Sequence, residues 1–392
     1  MLGAFRVQSL EFTKYLTSSL INLLFYRRKI SESSKVERIL IIKTDYLGDL
    51  VMSTGVFSAL RGSFPRAQMV LLTNSQMATV FQSDENFNRV MVYDPKFYCR
   101  RAGKRYSLLR NLPLLRELRK EQFDLIVDLS SDPLTIMLAL TYAFRAYRVE
   151  RDTLRTMDTF RKYWRLLSGG LRRNVGMEHE VLRHQKILNR AGISTDSLGT
   201  YFPLEEQGQE EADRFIQAHA LTGYTVIQPG SYWSIRRWAP EKFARLGDRL
   251  IDRYDLPVVL SGSLAERELL LKVKGFMAGD AVIQAGELSI KGLAALVGGA
   301  QLFVGNDSGP AHIAAALGIP TVAIMGTADI ERYRPYGPRT EICYRAVRCG
   351  PCYAGGCYMP ENICLQPVEV EEVLEKVDRL LNVTREFEVA PH

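Results

Sequence analysis

The segment Gly305-Asn306-Asp307-Ser308-Gly309-Pro310-Ala311-His312 sets a carboxylate, a hydroxyl and an imidazole around a Gly-Pro step. It runs into the small-residue stretch Ile313 to Leu317 and stops at Gly318. Ser308 suits a helix N-cap and Pro310 the first helical turn. A helix starting there presents unbonded backbone N–H groups and the positive end of its dipole, which together hold an anion such as a nucleotide diphosphate. Asp307 stands at the edge of that site, where its carboxylate can accept hydrogen bonds from sugar hydroxyls. A capped α/β crossover, with Asp307 merely capping, would use the same local residues.

Four further constellations carry chemistry. In Pro229-Gly230-Ser231 through Arg236-Arg237-Trp238, a small-residue turn lets backbone and Ser231 approach a phosphate, and Arg236 can neutralise a departing diphosphate. The competing reading is a surface loop with solvated arginines. In Leu47-Gly48-Asp49, Asp49 starts a helix and can take a proton from a hydroxyl, or it can simply complement the helix dipole. Glu266, in Gly262-Ser263-Leu264-Ala265-Glu266, can accept hydrogen bonds from a ribose or base, or serve as an ordinary first-turn glutamate. Cys349-x2-Cys352-x4-Cys357-x6-Cys364 resembles a metal knuckle, a candidate structural zinc or iron site; free thiols or two local disulfides are the alternatives.

These loops must be held by something, and the surrounding pattern says what. Arg38 to Lys43, Gln68 to Leu72, Val90 to Tyr93 and Leu125 to Leu129 read as strands, most of them continuous apolar runs of the kind buried in parallel sheets. A helical pattern runs from Leu50 to Leu60. After a polar stretch the pattern restarts, with strands at Tyr224 to Gln228, Pro257 to Ser261, Ala281 to Gln284, Leu302 to Val304 and Thr321 to Met325, and a closing helix from Val368 to Leu381. Alternating strands and helices predict two parallel, doubly wound sheets, with the chemistry-bearing loops at strand carboxyl ends around a cleft. The expected division is an N-terminal helical extension at 1–36, a first lobe at 37–208, a second at 209–366 containing the Cys-rich loop 343–364, and a helix and tail at 367–392.

The 392 residues suit two domains, and 46% hydrophobic with 24% charged residues is a folded, soluble composition. Five of six cysteines crowd into 343–364, which is no secreted disulfide framework, and no cleavable leader is evident. The cytoplasm is the expected compartment. In residues 1–36 the spacing of Phe12, Leu16, Leu20, Leu23 and Leu24 ahead of Arg27-Arg28-Lys29 fits a helix lying on an acidic membrane face, and equally one packed on a neighbouring lobe. A net charge of +7 favours anionic partners. Nine Lys/Arg fall between Lys96 and Lys120. Arg100, Arg101, Lys104 and Arg105 there, with Lys43, are the candidate contacts for a polyanionic acceptor. No nucleic-acid recognition motif accompanies the charge. A dinucleotide fingerprint, a phosphate-binding P-loop and a hydrolase nucleophile elbow are all absent, which disfavours those enzyme classes.

In order along the chain, Ile41 to Asp49, Pro229 to Trp238 and Gly305 to His312 resemble glycosyltransferase family 9, known for ADP-heptose:lipopolysaccharide heptosyltransferases. The resemblance covers residues 37 to 382 and leaves the first 36 outside. It implies the GT-B fold, two Rossmann-like lobes with acceptor on the first and donor on the second, and an inverting reaction that requires no metal or other cofactor. It implies Asp49 as general base, Ser231 at the donor phosphates, Glu266 at the ribose, and Asp307 and His312 at the donor sugar and diphosphate, while Arg236, Ser308 and Gly309 are further candidate donor contacts read from the residues themselves. Arg236 departs from the lysine common in the lipopolysaccharide enzymes, which keeps the charge and changes its shape. A related branch that heptosylates surface proteins carries cysteine-bound iron, so that acceptor class stays open. The expectation is heptose transfer from ADP-heptose to a lipopolysaccharide core at the inner face of the cytoplasmic membrane. Transfer to another glycan or to protein, and a non-catalytic nucleotide-sugar-binding module, are the competing readings.

Overall fold

A computed structural model describes residues 36–95, 112–130, 147–150, 178–326, 329–347, 349, 357 and 363–388. The N-terminal extension, Arg100, Arg101, Lys104, Arg105 and Cys352 lie outside the described residues.

Two wholly parallel sheets organise the chain. The first contains β1 (Arg38–Ile42), β2 (Gln68–Thr73), β3 (Arg89–Val92), β4 (Leu125–Asp128) and β5 (Tyr147–Glu150) in the order β3-β2-β1-β4-β5. The second contains β6 (Thr225–Gln228), β7 (Val258–Gly262), β8 (Ala281–Ala285), β9 (Leu302–Asn306), β10 (Thr321–Met325) and β11 (Thr340–Tyr344) in the order β11-β10-β9-β6-β7-β8. Both have the doubly wound pattern, in which strand order reverses beside the first strand. The reversal falls between β1 and β4 in one sheet and between β6 and β9 in the other.

The central strands are buried throughout and mostly apolar because both faces are covered. Every residue of β4, β6, β7, β9 and β10 is buried. Such runs have no alternating face to give to water, as parallel sheets require. Edge strands differ: in β11 only Cys343 is fully buried. β5 and β11 are the two strands the sequence reading missed. The expected helix from Leu50 to Leu60 is two helices, Leu47–Val51 and Thr54–Ser63, with Ser53 between them.

Among the described residues the chain divides into two compact units. The first takes the chain up to Tyr46, from Ser53 onward and through Val181–Leu198. The second takes Leu47–Met52, the stretch ending at Glu180, and Gly199 onward. Two short segments from the first half are thus built into the second unit. The stretch ending at Glu180 is held there by a buried ion pair, Arg332 Nε to Glu180 Oε2 at 2.7 Å, and by His179 Nε2 donating to the Arg334 carbonyl at 2.8 Å. No helix among the described residues is long and apolar enough to cross a membrane.

The helix after β9, Gly309–Ala316, ends in a Schellman turn: Ile319 N–H donates to Ala314 O at 3.0 Å and Gly318 N–H to Ala315 O at 3.1 Å. Gly318 sits at φ 74°, in the left-handed region, with open space where a Cβ would be, and Pro320 bars continuation. Gly318→Ala is therefore expected to cost about 1 kcal/mol through backbone strain alone. Urea denaturation checks this, and a cost near zero would mean the turn relaxes.

Candidate active site

In the first unit, the loop after β1 lies at the strand-order reversal. Lys43 is fully buried, and its ammonium donates to Asp45 Oδ2 at 2.8 Å and to the Leu129 carbonyl at 3.3 Å. Ser130 Oγ accepts from Thr44 N–H at 2.6 Å and donates to Asp45 Oδ2 at 3.0 Å. Lys43 thus ties the two loops at the reversal to each other through Asp45, and its charge is neutralised rather than presented outward.

In the second unit, the loops after β6 and β9 flank the other reversal. β9 extends two residues further than the sequence reading has it, so Gly305 and Asn306 are strand residues. A Cβ on Gly305 would stand 3.0 Å from Gln228 Cβ, so glycine permits the close approach of β6 and β9. The fully buried Asn306 side chain then joins the two loops: Nδ2 donates to Pro229 O at 2.7 Å, and Oδ1 accepts from Trp238 N–H at 3.0 Å. Ser231 Oγ donates to the Asp307 carbonyl at 2.9 Å, and Arg237 Nε to the Ser231 carbonyl at 2.9 Å. Asn306 and Arg237 had no role in the sequence reading, although both stand inside the quoted motifs.

Arg236, on the short 3-10 turn Ser234–Arg236, reaches Asp307: Nη1 to Oδ2 is 2.7 Å. Burial pushes the Asp307 carboxyl up, and the Arg236 guanidinium pulls it back. The carboxylate expected to read sugar hydroxyls is thus engaged by the cation expected to meet the diphosphate. The Asp307 side chain is 10% exposed and that of Arg236 25%, so the pair is shielded and not sealed from solvent.

Glu266 closes a capping box: its Oε2 accepts from Ser263 N–H at 2.9 Å and Ser263 Oγ at 2.8 Å. The missing side chain of Gly230 makes room for the Glu266 carboxylate, and Arg237 Nη2 stands 3.8 Å from Glu266 Oε1. Loops after β6 and β7 are thereby connected.

Ser308 occupies the N-cap position of Gly309–Ala316 with extended backbone (φ −157°, ψ 161°), yet its side chain caps nothing. Its Oγ is buried and has no hydrogen-bond partner among the described residues. Gly309 accommodates Leu47, whose Cδ2 would be 2.7 Å from a Cβ there. His312 is buried, and its Nδ1 also has no partner among the described residues. Burial, with a smaller contribution from nearby His179, pushes its imidazole down to about 3, so it is neutral at ordinary pH. Asp49 lies on Leu47–Val51, a helix that packs against Gly309–Ala316 within this unit.

The cysteines give a different outcome. Cys364 and Cys343 are buried in the second unit's core, where burial pushes the Cys343 thiol up to about 12, while Cys357 is exposed. No group of three His, Cys, Asp or Glu able to hold a metal occurs among the described residues. With Cys352 outside them, the tetrad is not seen as a whole.

Two doubly wound parallel sheets, each with polar loops at its strand-order reversal, are the α/β architecture of the GT-B fold. The profile of Glycosyltransferase family 9 (heptosyltransferase) matches residues 112–362, and the chain belongs to that family and is a glycosyltransferase. Asp49 lies ahead of the matched span. Lipopolysaccharide heptosyltransferase 3 of Escherichia coli K12 is 25% identical over 294 residues, 74% of this chain and 83% of that one. In fold the chain is similar to E. coli ADP-heptose lps heptosyltransferase II (TM-score 0.65, 20% identity, 89% of this chain and 99% of the other). It is similar also to E. coli heptosyltransferase WaaC with ADP-2-deoxy-2-fluoro heptose (TM-score 0.58, 19% identity, 87% and 99%).

Asn306→Ala strands two buried groups, Trp238 N–H and Pro229 O, and is expected to cost about 2–4 kcal/mol in urea denaturation. A loss under about 1 kcal/mol would mean that water or a neighbour replaces the amide. For His312 the folded value, about 3, lies below the unfolded one, 6.5, so between them only the unfolded chain takes up the proton. Stability is therefore lost as pH falls through that window. His312→Gln should flatten the stability curve between about pH 4 and 6.5, by up to about 1.4 kcal/mol per pH unit. An unchanged slope would count against a neutral imidazole.

Proposed function

We propose that this glycosyltransferase moves a heptose from ADP-heptose to a lipopolysaccharide core, with inversion and without metal in the chemistry. The observation carrying the donor site is Ser308. A buried hydroxyl without a hydrogen-bond partner among the described residues, at a helix start on a strand-order reversal, suits a ligand. Arg236 stands on the neighbouring loop with its side chain 25% exposed, so cation, hydroxyl and helix dipole suit one diphosphate. The similarity to a lipopolysaccharide heptosyltransferase and to a heptosyltransferase holding an ADP-heptose analogue supports ADP, heptose and lipopolysaccharide.

In the proposed step Asp49 takes the acceptor hydroxyl proton. The oxygen attacks the anomeric carbon from the face opposite the diphosphate. The anomeric C–O bond breaks, and ADP leaves with the bonding pair. Arg236, Ser308 and the start of Gly309–Ala316 stabilise that charge as it forms. Arg236 can turn part of its fork from Asp307 to phosphate, and Asp307 is then released toward sugar hydroxyls. Glu266 is assigned the ribose. Arg100, Arg101, Lys104 and Arg105 are assigned a polyanionic acceptor at the cytoplasmic membrane surface, and the cysteine loop no chemical step.

Asp49→Ala is expected to lower kcat by about a hundredfold or more with heptose-deficient core as acceptor, while ADP binding by calorimetry persists. Turnover retained in the variant would sink the base assignment. Turnover of the unaltered enzyme with a protein or another glycan, but not with core, would move the acceptor.

A further inference from the structure

The helices Leu47–Val51 and Gly309–Ala316 interlock through two glycines. A Cβ on Gly48 would stand 2.7 Å from Cδ2 and 3.0 Å from Nε2 of His312. A Cβ on Gly309 would stand 2.7 Å from Cδ2 and 3.0 Å from Cγ of Leu47. Each helix therefore lays one side chain over the other's glycine. Neither glycine is in the left-handed region, so space and not backbone conformation demands them. Contacts this tight leave no carbon's worth of slack, and an added methyl must displace an imidazole or a branched side chain. The Gly48 carbonyl accepts from Met52 N–H at 3.0 Å, which fixes the turn that begins there, and Asp49 is the next residue.

His312 suits this task better than contact with a charged donor. Its ring is 5% exposed, lies against Gly48, and has a nitrogen with no hydrogen-bond partner among the described residues. Burial keeps it uncharged. We infer that His312 is a positioning residue: its ring, seated on Gly48, sets where the helix Leu47–Val51 begins, and so holds the Asp49 carboxylate at a fixed height on the donor helix. The inference rests on the reading of Asp49 as the base. It assigns His312 to the geometry of proton removal and not to diphosphate binding.

The test uses the full chain with Gly48→Ala, His312→Ala and the double variant, measuring kcat, donor KM and calorimetric ADP affinity. Misplacing a base by about an ångström costs up to about a hundredfold in rate. Both single variants should accordingly lower kcat by about tenfold or more. Donor KM and ADP affinity should stay within about twofold. The two losses should not multiply, because the added methyl of the double variant occupies space the ring has vacated. If Gly48→Ala does not fold, Leu47→Ala loosens the same interlock from the Gly309 side without adding atoms, with the same expected split between kcat and ADP affinity. A tenfold loss of ADP affinity in His312→Ala would make His312 a donor contact and overturn the inference, as would kcat losses that multiply in the double variant. Asp49→Asn in the same assay separates the two readings: turnover retained there removes the base, whereas the coupling of residues 48 and 312 is read independently.

Discussion

One buried amide governs the geometry of the second unit. Asn306 bonds with its nitrogen to the first residue after β6 and with its oxygen to the end of the same loop, ten residues on from Gln228. Strand-end loops have few ways to be both irregular and buried, because each unbonded backbone group there costs about 1–3 kcal/mol. An asparagine at the end of β9 meets that demand with one side chain. Ser231, Arg236 and Asp307 keep their mutual distances because the loop carrying the first two is fastened to the residue just before the third. Trp238 carries the fastening further, since its indole N–H donates to the Val368 carbonyl at the head of the C-terminal helix.

Within that frame Arg236 and Asp307 hold each other's charge. Burial raises the cost of an ionised Asp307, and Arg236 offsets it. A guanidinium presents five donors in a planar fork and can engage a carboxylate and a phosphate oxygen together. A lysine at this place would be a point charge with less directional reach. In the proposed reaction the arginine would pass by degrees from Asp307 to an incoming anion, so that the carboxylate is never left buried and alone.

Legibility in the sequence followed the range of the interactions. Helix start and stop around Gly305 to Gly318 were readable because Pro310, Gly318 and Pro320 act through their own backbones. Central strands were readable because burial on both faces forces continuous apolar runs. β11, with sequence Thr-Glu-Ile-Cys-Tyr, was not, since an edge strand with one fully buried residue has no such signature. The Ser308 cap was expected from residue type and is not made. The ion pair of Arg236 with Asp307 spans 71 positions and the Asn306 bonds span 68 and 77, and nothing local announces partners at that separation. Gly48 and Gly309 read as turn and helix-start glycines, whereas what fixes them is the side chain each must admit from the other helix.

The incorporation of Leu47–Met52 into the second unit bears on how the protein can be taken apart or recombined. A fragment beginning at Gly199 would contain every donor-side loop and still lack the helix that covers Gly309 and His312. It would expose the glycine and the imidazole that this helix covers in the intact chain, and the imidazole would lose the burial that keeps it neutral. A chimera joining this second half to the first half of a relative would inherit that relative's residues opposite Gly309 and His312. Compatibility at those two positions would then decide whether the two helices of the hybrid can interlock.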